Sequence, residues 1–207
     1  MGNVKQTQKK ELDMADSTDV DKGIEARIIR YGKLLYKRGL VSGTDGNLSS
    51  RKKDGGFVVT ASGVHKGLME SQDLVTLDAS GNKVEGRLKP SSEIPMHLAI
   101  YKGQKEAGAV IHAHAPWCTA LSLKKNELDL SALAEGRILF PKVPVVPYYE
   151  PGSKELADAA KEAAQKSKIF ILKAHGVVAW GTDLKEAFCL IEALENNVRI
   201  LALSSFF

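Results

Sequence analysis

Several short stretches of this chain carry residue types able to do chemistry. The sharpest is Ala109-Val110-Ile111-His112-Ala113-His114-Ala115. Its apolar run-up, and the Pro116 that closes it, predict a strand. Side chains two apart on a strand share a face, so His112 and His114 project together. Two adjacent imidazoles supply two-thirds of a catalytic zinc site, which takes three protein ligands and leaves one position for water or substrate. The plainer alternative is a pair of hydrogen-bonded histidines at a strand end. A third histidine, His175, interrupts the apolar run from Ile169 to Gly181 and stands beside Gly176. The run predicts one buried strand, and the His-Gly pair a bulge or close backbone approach within it. Alone, His175 reads as a core histidine bonded to a carbonyl. Beside His112 and His114 it reads as the third zinc ligand.

A second group of stretches suits an anion. In Lys89-Pro90-Ser91-Ser92-Glu93, Pro90 disfavours helix at Lys89, and Ser91 or Ser92 can cap the helix that follows. A helix N-terminus bearing two hydroxyls is a natural phosphate site. Glu93, in the first turn, either complements the helix dipole or serves as a general base beside the anion. The loop from Ser42 to Ser49 holds two glycines and five small polar residues. Its backbone N–H groups can form an anion nest to which Asn47 adds its amide; a plain turn is the alternative. Ala61-Ser62-Gly63-Val64 has the same character. His65 reads as a solvated loop histidine. His97, one turn after Glu93 on an apolar helix face with Ile94, Leu98 and Tyr101, reads as structural.

These residues need elements to position them. Ile24, Ile28, Tyr31, Leu34 and Leu35 recur at helical spacing, predicting a helix from Asp21, its cap, to Arg38, with Gly39 ending it. Gly56–Thr60 and Asp73–Asp78 read as strands, the second turned back by Ala79–Asn82. Pro116 to Leu121 resumes as a helix. Leu128 to Phe140 is mixed apolar without a clear period. The prolines in Val143–Tyr148 restrict it to an edge strand or extended segment. Helices follow over Lys154–Lys166, capped by Ser153, and Asp183–Leu203.

The chain has 207 residues, enough for one domain with a sizeable core. No repeat or linker divides residues 22–207. Met1 to Asp21 is polar without an apolar centre, which reads as a flexible arm and not a secretory signal. The net charge is +4. No basic run is interleaved with aromatics, which argues against nucleic acid, whereas a positive balance suits a small anionic substrate. The two cysteines, Cys118 and Cys189, lie far apart without a C-x-x-C partner, as expected of buried thiols in a reduced cytoplasm. No apolar run is long enough to span a membrane.

Five blocks taken in order, Gly46-Asn47-Leu48-Ser49, Thr60-Ala61-Ser62-Gly63, Pro90-Ser91-Ser92-Glu93, His112-Ala113-His114 and His175-Gly176, resemble the class II aldolase/adducin family. Within it the chain is similar to zinc-dependent fuculose-phosphate aldolases. The resemblance implies an α/β fold, a three-layer α/β/α sandwich with a mainly antiparallel central sheet. It also implies a homotetramer with active sites at subunit interfaces. By position it makes His112, His114 and His175 the ligands of one Zn2+ and Glu93 the catalytic acid/base. Gly46, Asn47, Ser62, Gly63, Ser91 and Ser92 become the phosphate-binding loops. Two departures stand out. No tyrosine aligns in the segment around Leu133-Ala134-Glu135-Gly136, where some family aldolases carry a proton donor. The C-terminal tail that closes over a neighbouring site is short, which argues against an epimerase. The expected activity is reversible cleavage of a sugar 1-phosphate, resembling fuculose 1-phosphate, to dihydroxyacetone phosphate and a small aldehyde. The alternatives are a methylthioribulose-1-phosphate dehydratase-type lyase and a non-catalytic binding member of the fold.

Overall fold

The computed structural model describes residues 23–206; the arm over 1–21 and the Asp21 cap lie outside them. The first helix, α1, covers 23–37 and turns its apolar face inward through Ile24, Ile28 and Leu35. It ends as expected, with Gly39 at φ +68° and Leu40 N–H returning to Leu35 O.

The strands are β1 (Asn47–Arg51), β2 (Phe57–Thr60), β3 (Leu74–Leu77), β4 (Lys83–Glu85), β5 (Ala109–Ala113), β6 (Glu127–Leu128), β7 (Val143–Val146), β8 (Ile169–Leu172) and β9 (Gly176–Gly181). They form one sheet in the order β4-β3-β2-β1-β5-β9-β8-β7-β6. Every pairing is antiparallel except β7 with β8. The helices are α2 (Ile94–Gly103), α3 (Pro116–Lys124), α4 (Ala134–Leu139), α5 (Lys154–Lys166) and α6 (Leu184–Ser204).

Two neighbouring residues of β9 show how the layers divide. Trp180 Nε1 donates to the carbonyls of Ala164 and Ser167, at and just beyond the end of α5. A Cβ on Gly181 would lie 2.8 Å from Glu186 Cβ and 3.0 Å from Ala187 N, in α6. Adjacent strand residues face opposite ways, so α5 and α6 cover opposite faces of the sheet. The α2 helix packs on α5, and α3 on α6. Tyr31 of α1 meets Phe188 of α6, ring centroids 5.4 Å apart. The fold is therefore the expected α/β/α sandwich. The buried face of α5 is almost all alanine, which lets α2 approach closely. At the sheet centre Leu48, Val110, Ile111 and Val178 are fully enclosed, each contributing about 1.5–3 kcal/mol by burial.

Four expectations need correction. The run from Ile169 to Gly181 is not one strand but the β8–β9 hairpin, with Leu172 opposite Gly176. Its turn is Lys173-Ala174-His175, in which Ala174 takes φ +59° and donates its N–H to Ser122 Oγ of α3. Neither serine side chain caps α2. Glu93 is the N-cap residue, and Ser91 Oγ accepts only a long 3.4 Å bond from Glu93 N–H. The β7 strand is second from the edge, because the two residues of β6 pair beside it. Cys118 is buried, but Cys189 is exposed on α6.

Candidate metal centre and active site

Antiparallel pairing brings three separate segments to one point. Asn47 lies opposite His112 on β1 and β5, and His112 lies opposite Val178 on β9. His114 follows β5, and His175 sits in the turn before β9. Gly176 permits this convergence, since a Cβ there would lie 2.4 Å from Ala113 O and 3.0 Å from His112 Cε1. Gly46 does the same on the other side. At φ +72°, its Cβ would fall 2.7 Å from His112 O.

The three imidazoles meet at their Nε2 atoms. His112 Nε2 is 3.1 Å from His114 Nε2 and 3.3 Å from His175 Nε2. His112 Nδ1 stands 3.0 Å from Val177 O, so Nδ1 carries the proton and Nε2 presents a bare lone pair to the other rings. Glu93 joins them from α2, with Oε2 3.4 Å from His112 Nε2 and Oε1 3.5 Å from His175 Nε2. One ligand atom from each of these four residues lies within 4.8 Å of every other. Burial holds His112 well below the usual histidine range, and the neighbouring His175 and His114 lower it further. Burial and then His175 also lower His114, against an opposing pull from Asp45.

This donor set fits a divalent metal. Facing lone pairs repel unless a cation lies among them. Nitrogens around a tetrahedral zinc with ~2.0–2.1 Å bonds stand about 3.3 Å apart, close to the observed spacings. Glu93 Oε1 is buried with no hydrogen-bond partner, as a carboxylate oxygen kept for a cation would be.

The residues expected to bind phosphate lie along the same rim. Ser62 N–H donates to Lys89 O, Ser91 N–H donates to Thr60 O, and Ala61 bridges to Pro90. The Ser62-Gly63 and Ser91-Ser92 loops therefore lie side by side. Ser62, Gly63 and Ser92 are exposed and Ser91 partly so. Asn47 differs from expectation. It is buried, and its Nδ2 donates to Glu93 Oε2 at 2.9 Å instead of standing free for an anion.

Four features go beyond the sequence reading. Glu93 is within the histidine cluster itself. Asp45 Oδ2 lies 3.7 Å from His114 Nδ1. His97 and Tyr101, spaced one helical turn apart on α2, both meet Ser49 Oγ, at 2.7 and 2.9 Å. Lys66 is buried. The helical spacing of Glu93, His97 and Tyr101 was a usable signal for the third. The expected role of Glu93 as acid/base had already put it beside the metal, whereas nothing in the sequence marks Asp45 or Lys66, whose places depend on non-local contacts. His97 is buried and structural as read. His65 is part-buried rather than solvated, accepting from Gly67 N–H and packing on Tyr36.

An antiparallel α/β sandwich with three imidazoles and a carboxylate converging at the end of its central strands is the framework of a metalloenzyme. The profile of the Class II Aldolase and Adducin N-terminal domain matches residues 26–202, and the chain belongs to this family. It is 38% identical over 173 residues to L-fuculose phosphate aldolase of Methanococcus maripaludis strain S2, covering 83% of this chain and 92% of that one. It is 33% identical over 198 residues to 3-oxo-tetronate 4-phosphate decarboxylase of Escherichia coli K12, covering 91% and 90%. A solved L-fuculose 1-phosphate aldolase superposes with a TM-score of 0.83 at 33% identity, covering 89% of this chain and 87% of that one. Among the described residues no helix is long and apolar enough to cross a membrane.

Proposed function

We propose that this protein is a zinc-dependent aldolase that reversibly cleaves a sugar 1-phosphate, similar to fuculose 1-phosphate, to dihydroxyacetone phosphate and a small aldehyde. The observation that carries the reading is the convergence of Glu93, His112, His114 and His175 beside the serine loops. His112, His114 and His175 hold the metal. Zinc, when bound, supplies a Lewis acid that draws electron density from the substrate's carbonyl and hydroxyl oxygens.

The chain's own residues do the rest. Gly46, Ser62, Gly63, Ser91 and Ser92 seat the phosphate and so fix the reacting carbons at the far end. Asn47, expected among the phosphate-binding residues, instead aims the Glu93 carboxylate. Breaking the carbon–carbon bond beside a carbonyl leaves an enediolate, and Glu93 moves the proton to and from its carbon. We read residues 22–207 as one domain, working in the cytoplasm as a homotetramer with interfacial sites.

The relationship to a decarboxylase along most of the chain supports a second reading, loss of CO2 from a 3-oxo sugar-acid phosphate. Both reactions pass through an enediolate, so the same cluster serves either. The test is incubation of the zinc-loaded protein with dihydroxyacetone phosphate and lactaldehyde or glycolaldehyde. A condensed sugar phosphate that a chelator abolishes is the expected product. No product from protein holding one metal per chain, with CO2 released from 3-oxo-tetronate 4-phosphate, overturns the aldolase in favour of the decarboxylase.

A further inference from the structure

Every residue assigned above to phosphate is uncharged, and Glu93 adds a negative charge nearby. A phosphate dianion held there needs a cation. Lys66 is fully enclosed, 1% exposed. Its Nζ donates to Thr44 O at 3.0 Å and to Val64 O at 2.7 Å. Thr44 lies two residues before Gly46, and Val64 directly follows Gly63. One ammonium therefore binds the Asn47 loop to the Ser62-Gly63 loop from beneath. The Lys66 backbone N–H adds a third tie, to Gly43 O at 3.0 Å.

Among the described residues no carboxylate forms an ion pair with this ammonium. Burial pulls its pKa down to about 8, against the opposing charges of Asp45 and Asp73. Enclosing an ammonium without an ion partner costs several kcal/mol, which its two hydrogen bonds to the loop carbonyls offset only in part. Structural tying alone leaves the choice of lysine unexplained.

We infer that Lys66 is the electrostatic element of the anion site. It sets the spacing of the two loops and supplies the positive charge that selects a phosphate dianion over an uncharged sugar. Lys66 is a positioning residue, since its ammonium faces loop carbonyls and not the substrate. The inference rests on the reading of these loops as the phosphate site.

The test measures binding of inorganic phosphate to the metal-loaded protein by calorimetry, with no turnover required. Lys66→Met is expected to keep its metal and weaken phosphate binding roughly tenfold or more, the effect of one buried charge at short range. Lys66→Arg is expected to bind close to wild type at pH 7.5. Raising the pH from 7.5 to 9.5 is then expected to weaken phosphate binding in wild type but not in Lys66→Arg, whose charge persists. Phosphate ionisation and the charges facing this position, Asp45, Asp73 and His114, are common to both proteins. This second comparison decides the matter even if Lys66→Met does not fold. Unchanged phosphate affinity in folded Lys66→Met, or parallel pH profiles for wild type and Lys66→Arg, overturns the role of Lys66. Absence of phosphate binding in wild type overturns the loop reading, and the inference with it.

Discussion

Asn47 Nδ2 donates to Glu93 Oε2 at 2.9 Å, tying the first residue of β1 to the N-cap residue of α2. This bond aims a buried carboxylate at the histidine cluster. Removing the carboxylate's charge while keeping its shape tests its role directly. Glu93→Gln is expected to retain metal on the three histidines and to lose turnover by about 10²–10⁴-fold, the range for a positioned acid/base. Elemental analysis and steady-state rates measure the two effects, and full activity would remove Glu93 from the mechanism. Asn47→Ala leaves the carboxylate in place but unaimed, so a smaller loss confined mainly to kcat is expected.

His175 contributes its Nε2 from a turn, while His112 and His114 come from one strand end. His175→Ala is expected to lose metal as well as activity, because two imidazoles and a carboxylate hold a divalent ion far less tightly than the full set. Dialysis against a chelator is expected to abolish wild-type activity, with zinc restoring it. A full metal complement in His175→Ala would rule that residue out as a ligand.

Gly176 sits where backbone and imidazole leave no room for a side chain. Gly176→Ala is expected to destabilise the protein by ~1–3 kcal/mol as β9 moves away from Ala113 O. Because the same movement displaces His112, metal affinity is expected to fall in parallel. Thermal unfolding with and without metal reads both, and an unchanged Tm would show that the hairpin absorbs the methyl group freely.

Burial depresses His97 to a pKa of about 3. The unfolded chain binds a proton here near pH 6.5 and the native protein does not, so the unfolded state holds more protons between these values. The stability that depends on neutral His97 is therefore complete above pH 6.5 and declines as pH falls towards 3. Urea unfolding of metal-free protein from pH 7.5 to 4.5 is expected to show a steeper acid loss in wild type than in His97→Gln. Equal slopes would mean that the native protein protonates His97 as readily as the unfolded chain does.

The sequence by itself determined the helices other than α4, which lies in the unassigned stretch from Leu128 to Phe140, together with most strands and the three histidines. These are local signals. The alternation around His112 and His114 needs no partner to be read, Ser153 caps α5 as expected, and Asp183, read as the start of α6, is its N-cap. Tertiary structure decided where the chain reverses between β8 and β9. An apolar run buried on both faces looks continuous, and the reversal depends on Ala174 adopting φ +59° with its N–H held by Ser122 from α3. It also brought Glu93, expected as the acid/base, into the histidine cluster itself, because the partner that aims it, Asn47, lies 46 residues away. Lys66 shows the same division. In sequence it is one lysine after a polar loop, which solvent usually claims. Only the packing of two loops over its ammonium makes it a buried charge, since burial belongs to the assembled fold and not to the residue.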